Sequence, residues 1–242
     1  MLEIKNVCKS YRKQKAALQE VSVTLQNGVY GLLGPNGAGK STLMNLITDS
    51  LLPDSGEILW DGSPVSALGR KYRRILGFTP QQQDLYDEFS GRRFLRYIAA
   101  LKEIPAKQVP DEVERTARLV NLSGELDKRL GAYSGGMKQR ILIAQAVLGE
   151  PRLLIFDEPT AGLDPMERVR IRGLLASLAK ERIVLVATHV VSDIESIADV
   201  ILILKKGRLI SQGTPAELIG QLTPGGTLED VYMHLFDTEE LL

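Results

Sequence analysis

A glycine-rich stretch at residues 34–41 holds the first side chains with an evident chemistry. It reads Gly-Pro-Asn-Gly-Ala-Gly-Lys-Ser and fits the pattern G-x-x-x-x-G-K-[ST], whose glycines let successive backbone N–H groups point at phosphate oxygens. Lys40 would place a cation between the β- and γ-phosphates, and Ser41 would offer its hydroxyl to Mg²⁺. The stretch therefore predicts a site for a nucleoside triphosphate and its magnesium ion.

Two carboxylates follow an apolar run at residues 153–156. If that run is a strand of a parallel sheet, Asp157 and Glu158 lie at its carboxyl end, where such sheets bind ligands. Asp157 is then suited to hold Mg²⁺, directly or through water, and Glu158 to accept a proton from the attacking water. Alone, the pair could equally be surface acids at the end of a strand. The phosphate loop upstream favours the catalytic interpretation.

A histidine and a group of glutamines are two further candidates. His189 follows the β-branched run at 183–187, and its predicted place in the same row as the phosphate loop favours a γ-phosphate contact over a structural role. The glutamines at 81–83 could be a plain polar loop. A glutamine in that place could instead bridge the metal and the attacking water without a change in charge.

A second glycine pair opens a predicted helix far downstream of the phosphate loop. Ser134, Gly135 and Gly136 precede a helical segment that ends at Gly149. The first turn of a helix presents unpaired backbone N–H groups and is a ready anion site. A flexible turn explains the glycines equally well, so the stretch alone leaves its ligand open.

Composition and charge exclude several functional classes. The 242 residues contain 44% hydrophobic and 25% charged side chains, values that are ordinary for a folded globular protein. Thirty basic residues balance thirty acidic ones, which argues against a nucleic-acid partner held by bulk charge. The single cysteine, Cys8, excludes an internal disulfide framework. No apolar run approaches the roughly 18 residues of a membrane helix, so a partner would have to supply any membrane span.

The spacing of apolar residues along the chain predicts the helices and strands that must position these side chains. Up to about residue 80, strand-like segments bracket a single helix, whose apolar stripe runs from Leu43 to Leu51 and is ended by Pro53. Residues 90–150 are mainly helical in pattern. One apolar stripe there includes Leu101, and Pro110 begins the next helix. The strand-like segments of the first part are 2–7, 21–25, 29–33 and 57–60.

Strand and helix patterns alternate after residue 150, which predicts an α/β fold with a parallel sheet. Two short helices are expected in the tail, one starting at Thr214 and one capped by Thr227. The apolar stripe of the second helix is expected to pack on the chain's own core. The strand-like runs of this part are 153–156, 183–187 and 200–204.

The order of these motifs resembles that in the nucleotide-binding subunit of an ATP-binding cassette (ABC) transporter, over roughly residues 2–220. Residues 157–160 resemble the family's Walker B end, and 161–164 resemble its D-loop. Residues 78–81 resemble its Q-loop, which selects Gln81 among the three glutamines. Residues 134–137 resemble the signature motif, with Met137 where that motif usually ends in glutamine. The run Ser-Gly-Gly-Met-Lys-Gln-Arg is similar to the exporter-type, ABC-2-like branch, which includes drug, antibiotic and bacteriocin-resistance transporters.

The resemblance assigns a role to each candidate. Glu158, His189 and Gln81 would be catalytic, while Ser41, Gln81 and Asp157 would hold Mg²⁺. An aromatic side chain at the place of Tyr11 stacks on adenine in this family. Within one chain, the signature motif and the D-loop would serve the ATP of a second copy. The ATP contacts implied are Tyr11, Gly34, Pro35, Asn36, Gly37, Ala38, Gly39, Lys40, Ser41, Thr42, Ser134, Gly135, Gly136 and Asp164.

The resemblance also implies an architecture and partners. The fold would be that of a P-loop NTPase, with a RecA-like parallel-sheet core, an N-terminal antiparallel β subdomain and an inserted helical subdomain at about 85–150. The ATPase domain would span 1–220, followed by a short helical tail at 221–242. Two copies would enclose two ATP molecules head to tail. Separate transmembrane permease subunits would dock near residues 81–105 and hold this cytoplasmic chain at the inner face of the cell membrane.

Two other functions fit part of the pattern. A single-cassette ABC ATPase without a transport role, such as one for iron–sulfur cluster assembly, would carry the same motifs. A non-catalytic, nucleotide-dependent interaction module would need fewer of them. The joint presence of Lys40, Asp157, Glu158 and His189 favours an ATPase over that module.

Overall fold

The structure is a computed structural model, and it describes residues 1–11, 16–81 and 84–236. Those residues form ten strands and ten α-helices. The strands are β1 (Leu2–Ser10), β2 (Ala16–Leu25), β3 (Gly28–Leu33), β4 (Ser55–Trp60), β5 (Ser63–Pro64), β6 (Leu76–Thr79), β7 (Leu153–Asp157), β8 (Ile183–Ala187), β9 (Val200–Lys205) and β10 (Arg208–Gly213). The helices are α1 (Lys40–Ile47), α2 (Val65–Leu68), α3 (Arg70–Ile75), α4 (Gly91–Leu101), α5 (Val109–Leu119), α6 (Gly135–Val147), α7 (Pro165–Leu178), α8 (Val191–Glu195), α9 (Pro215–Leu222) and α10 (Leu228–Phe236).

The larger sheet has the strand order β10-β9-β3-β8-β7-β6. Its strands pair in parallel except for β10, which runs antiparallel to β9. Ala187 of β8 is level with Leu32 of β3 on one side and with Asp157 of β7 on the other. The segments that follow these three strands therefore begin in one row at the carboxyl edge of the sheet, as the sequence predicts.

Both faces of this sheet are covered, which explains why its strands are apolar without a polar face. Leu154 and Phe156 point into a core shared with α6 and α7, whereas Leu153 and Ile155 point into a second core. That second core is shared with α1 and with an antiparallel sheet of order β2-β1-β4-β5. The predicted P-loop NTPase architecture, with a parallel core and an N-terminal antiparallel sheet, is confirmed.

The helices α4, α5 and α6 pack on one another through buried residues such as Phe94, Val113 and Ile141. Leu101 is 63% exposed and does not belong to the buried stripe of α4, so that part of the prediction is wrong. The mainly helical character of residues 90–150 is present. Where a separate helical subdomain begins and ends stays a prediction.

The first eighty residues differ from the sequence prediction in two places. Helix α1 ends at Ile47 rather than near Pro53, because Asp49 adopts a left-handed conformation with φ of 58° that a helix cannot continue. Two short helices, α2 and α3, lie where only strands and loops were predicted. Their four and six residues are too short for a helical period to be visible.

The tail packs on the chain's own core. Leu228 and Val231 of α10 are fully buried in the same cluster as Ile194 of α8, which confirms the prediction for this stripe. Thr214 and Thr227 cap the two tail helices as expected. Among the described residues, no helix combines the length and the apolar character needed to cross a membrane.

Candidate site for nucleotide binding and hydrolysis

The phosphate loop lies between the end of β3 and the start of α1. Its glycines are required by close backbone approaches. A Cβ on Gly34 would lie 2.3 Å from the carbonyl oxygen of Leu204, and one on Gly39 would lie 2.6 Å from that of Ala17. Gly39 also has a φ of 109°, which side-chain-bearing residues rarely adopt. The loop is therefore held against β9 and β2 in one conformation.

Lys40 lies under this loop and is 8% exposed. Its Nζ donates hydrogen bonds to the carbonyl oxygens of Gly34 at 2.6 Å and Pro35 at 3.3 Å. Burial lowers the pKa of Lys40, while the nearby carboxylates of Glu158 and Asp157 raise it. The amine therefore lies between the phosphate loop and the two acids, where a polyphosphate would bring negative charge.

The three residues predicted to hold Mg²⁺ line one cavity of about 280 Å³, together with Phe78 and Pro80. They are Ser41 at the start of α1, Gln81 after β6 and Asp157 at the end of β7. Burial raises the pKa of the Asp157 carboxyl and the charge of Glu158 adds to this effect, while Lys40 opposes it. Hydroxyl, amide and carboxylate oxygens are ligands that suit a hard divalent cation. Gln82 and Gln83 lie outside the described residues.

Glu158 is buried and held by several donors at once. The Thr188 hydroxyl donates to its Oε2 at 3.0 Å, and the His189 backbone N–H donates to its Oε1 at 3.0 Å. The His189 ring contributes a further contact, with Nδ1 2.7 Å from the same Oε1. The carboxylate side chain is 6% exposed and the imidazole 57% exposed, so the histidine covers the acid on its solvent side.

Thr188 belongs to the site but was not predicted from the sequence. Its hydroxyl also accepts a hydrogen bond from the backbone N–H of Val190 at 3.0 Å, which fixes the turn that carries His189. The available signal was a polar residue between an apolar strand and a candidate histidine, in Ala-Thr-His. Its contact with Glu158 follows from the pairing of β7 with β8, which the local sequence does not specify.

Tyr11 lies near the first turn of α1, directly after the phosphate loop. Its side chain is 43% exposed, and its hydroxyl lies 3.5 Å from the Thr42 hydroxyl in the first turn of α1. The Tyr11 side chain therefore lies beside the first turn of α1 and is open to solvent. The residues that follow, 12–15, lie outside the described part of the chain.

The second glycine pair begins α6, as predicted. The Ser134 hydroxyl accepts a hydrogen bond from the Met137 backbone N–H at 3.3 Å and caps the helix. Asp164 caps the neighbouring helix α7 in the same way, through the Glu167 backbone N–H at 3.0 Å. Gly136 packs directly against the Glu167 side chain. The two helix starts therefore form one surface, built on α6 and α7.

Known proteins share this fold and these motifs. The family model described as ABC transporter matches residues 18–161. A Nod factor export ATP-binding protein I of a Rhizobium species is 34% identical over 220 residues, which cover 90% of this chain and 72% of that protein. The relatives give no support to a role outside transport.

Solved structures agree with this assignment. A structure of the ATP-binding subunit of an ABC transporter matches with a TM-score of 0.85 and 30% identity, over 97% of this chain and 99% of the other. A dimeric, post-hydrolysis structure of an ATP-binding cassette bound to ADP and Pi matches with a TM-score of 0.78 and 25% identity, over 88% and 98% of the two chains.

The fold and the site together define a P-loop ATPase. More specifically, the chain belongs to the ABC transporter family, as an ATP-binding subunit that hydrolyses ATP. The hypothesis of a non-catalytic interaction module is therefore rejected.

Proposed function

We propose that this chain powers a membrane exporter whose transmembrane part is formed by separate permease subunits. The observation that carries the catalytic half is the convergence of Lys40, Asp157, Glu158 and His189 at one edge of the sheet. The export half is supported by the relative that is named an export ATP-binding protein and by the form of the signature stretch. The chain would act at the inner face of the cell membrane, through those partners.

In this proposal ATP lies on the phosphate loop, with its polyphosphate against Lys40 and the backbone N–H groups of residues 34–42. Tyr11, which lies beside Thr42, would stack on the adenine ring. Ser41, Gln81 and Asp157 would hold Mg²⁺, which when bound would neutralise charge on the β- and γ-phosphates.

Glu158 would accept the proton of the attacking water. Thr188 and His189 orient its carboxylate, so that the base does not have to find its position during the reaction. The exposed part of the His189 ring faces solvent beyond Glu158 and is free to contact the γ-phosphate. The base and the histidine therefore act as one unit at the ends of β7 and β8.

The active form would be a homodimer with two shared ATP sites. Ser134, Gly135, Gly136 and Asp164 lie at the starts of α6 and α7, and the packing of Gly136 on Glu167 joins these two helix starts. In a head-to-tail pair this surface would meet the ATP on the phosphate loop of the second copy. The dimeric cassette structure with bound ADP and Pi supports that arrangement. The ATPase domain would span 1–220, with its helical part at about 85–150 and a tail at 221–242.

Replacement of Glu158 by glutamine tests the catalytic half. The amide keeps the shape of the side chain but is a far weaker base, so the steady-state ATPase rate is expected to fall at least about 100-fold. ATP binding to the phosphate loop should change little. Glu181→Gln is the matched control, because Glu181 is an exposed acid just before β8, at the amino edge of the sheet and opposite the site. An unchanged ATPase rate in Glu158→Gln would refute Glu158 as the base.

A further inference from the structure

We infer that Glu167 is a positioning residue that locks the signature stretch to the D-loop, so that both reach the second copy's ATP as one rigid surface. This inference rests on the shared site proposed above. It concerns a residue of α7 that lies outside the motifs identified in the sequence. Its side chain is 12% exposed.

The first part of the lock is made by the backbone. Glu167 is the third residue of α7, and its N–H donates to the Oδ1 of Asp164, the cap of that helix, at 3.0 Å. Asp164 is the last residue of the D-loop stretch 161–164. This bond holds the Glu167 backbone less than one helical turn from the D-loop.

The second part is direct packing on the signature glycine. A Cβ placed on Gly136 would lie 2.9 Å from both Cγ and Oε2 of Glu167. Cβ atoms do not approach other heavy atoms that closely, so a larger residue at 136 would displace the Glu167 side chain or separate α6 from α7. The close approach sets the distance between the signature stretch and the D-loop.

The third part is an ion pair with the signature helix. Arg140 Nε lies 3.4 Å from Glu167 Oε2, and the Arg140 side chain is 15% exposed. Arg140 is itself anchored, because it donates to the carbonyl oxygens of Gly136 at 3.4 Å and Asn121 at 3.0 Å. Glu167 Oε1 is bound by Arg170, which is 59% exposed. One carboxylate therefore bridges α6 and α7.

The energetics favour a positioning role over a stabilising one. Oε2 of Glu167 is buried and has no hydrogen-bond donor among the described residues, so the charge of the carboxylate is compensated by the ion pairs with Arg140 and, through Oε1, with Arg170. Buried charges of this kind often contribute little to stability or even reduce it, because desolvation offsets the attraction. If Glu167 mainly sets the spacing of the signature stretch and the D-loop, its replacement should affect closure of the dimer more than it affects folding.

The test measures ATP turnover and ATP binding separately in Glu167→Ala and Glu167→Gln, with Arg170→Gln as the matched control. Glu167→Ala removes the packing and the ion pair, so turnover is expected to fall at least about tenfold, since displacements of about 1 Å can cost that much or more. Binding of a fluorescent ATP analogue to the phosphate loop should stay within about twofold. Arg170→Gln should keep wild-type turnover, because Arg170 lies on the solvent side of the same carboxylate.

Two results would overturn the inference: wild-type turnover in Glu167→Ala, or an equal loss of turnover and of ATP binding. If Glu167→Ala does not fold, Glu167→Gln decides, because it keeps the shape and loses only the charge. It is then expected to lose about threefold in turnover with ATP binding retained, since an ion pair and not the packing is removed.

Ser134→Arg separates this inference from the proposal that it rests on. Retained ATPase activity in Ser134→Arg would mean that the shared site itself is wrong. An inactive Ser134→Arg together with a fully active Glu167→Ala would refute only the role of Glu167.

Discussion

At the scale of single residues, the proposed mechanism of hydrolysis depends on how the buried carboxylate of Glu158 is held. Glu158 has a φ of 50°, an uncommon conformation for a residue with a side chain, and its backbone N–H donates to the Ala187 carbonyl at 2.8 Å. That bond ties the residue after β7 to the end of β8. The strained backbone directs the side chain at Thr188 and His189, which then fix the carboxylate.

Thr188 is therefore expected to contribute to catalysis without touching ATP. Thr188→Val keeps the shape but leaves Glu158 Oε2 without its donor, an interaction of about 1.5–3 kcal/mol for a charged acceptor. We expect the ATPase rate to fall about tenfold, with ATP affinity little changed. Thr116→Val is the matched control, because the Thr116 hydroxyl is also buried but bonds only to backbone carbonyls of α5. Equal activities of Thr188→Val and the control would contradict this role.

At the scale of the elements, helix α6 is held at both ends. Ser134 caps its start, and Lys102 Nζ donates to the carbonyl oxygens of Ala146 at 3.0 Å and Leu148 at 2.8 Å at its end. Burial lowers the pKa of Lys102 to about 8, against a raising effect from Glu112. The far end of the signature helix is thus held by a buried lysine with a pKa of about 8.

This lowered pKa predicts a pH dependence of stability. In the unfolded chain the amine stays protonated up to its ordinary pKa of 10.5, whereas in the folded chain it loses its proton above about pH 8. Between those values the unfolded state binds more protons, so Lys102 makes the free energy of unfolding rise with pH, by at most about 1.4 kcal/mol per pH unit. Below about pH 8 the folded state bears the full cost of the buried charge.

Denaturant titrations of Lys102→Met between pH 7 and 10 check this prediction. Removal of the amine should make the free energy of unfolding rise less steeply with pH than it does in the wild type. Lys107→Met is the control, because Lys102 and Lys107 line one cavity of about 700 Å³ but Lys107 is exposed. Parallel pH profiles of the wild type and Lys102→Met would show that the amine does not titrate in this range.

The features that the sequence predicts well are those determined by local hydrophobic pattern and by the order of the motifs. The apolar runs at 29–33, 153–156 and 183–187 are strands, and their alternation with helices suffices to place Glu158 and His189 near the phosphate loop. The contacts of Thr188 and Glu167 were not predictable, because each depends on which elements become neighbours. The early end of α1 depends on the left-handed Asp49, which an apolar stripe does not reveal.

At the scale of the whole molecule, the two halves of the proposed site lie on different elements of one chain. Lys40, Asp157 and Glu158 lie at the carboxyl edge of the parallel sheet, whereas the Ser134 and Asp164 caps begin α6 and α7. A helix start is a weak phosphate site by itself, with about 0.3–1 kcal/mol from the dipole when exposed. It becomes effective when a second copy brings a phosphate that is already bound.

The most direct test of the shared site is sedimentation of Glu158→Gln with ATP and Mg²⁺, alone and combined with Ser134→Arg. Slow hydrolysis in Glu158→Gln should trap ATP, and the protein is expected to sediment as a dimer with ATP and as a monomer without it. Adding Ser134→Arg should return the protein to a monomer while ATP still binds, because the arginine blocks the approach of the signature stretch to the second copy's phosphate. A Glu158→Gln protein that stays monomeric with ATP, or a dimer that survives Ser134→Arg, would contradict the shared ATP site.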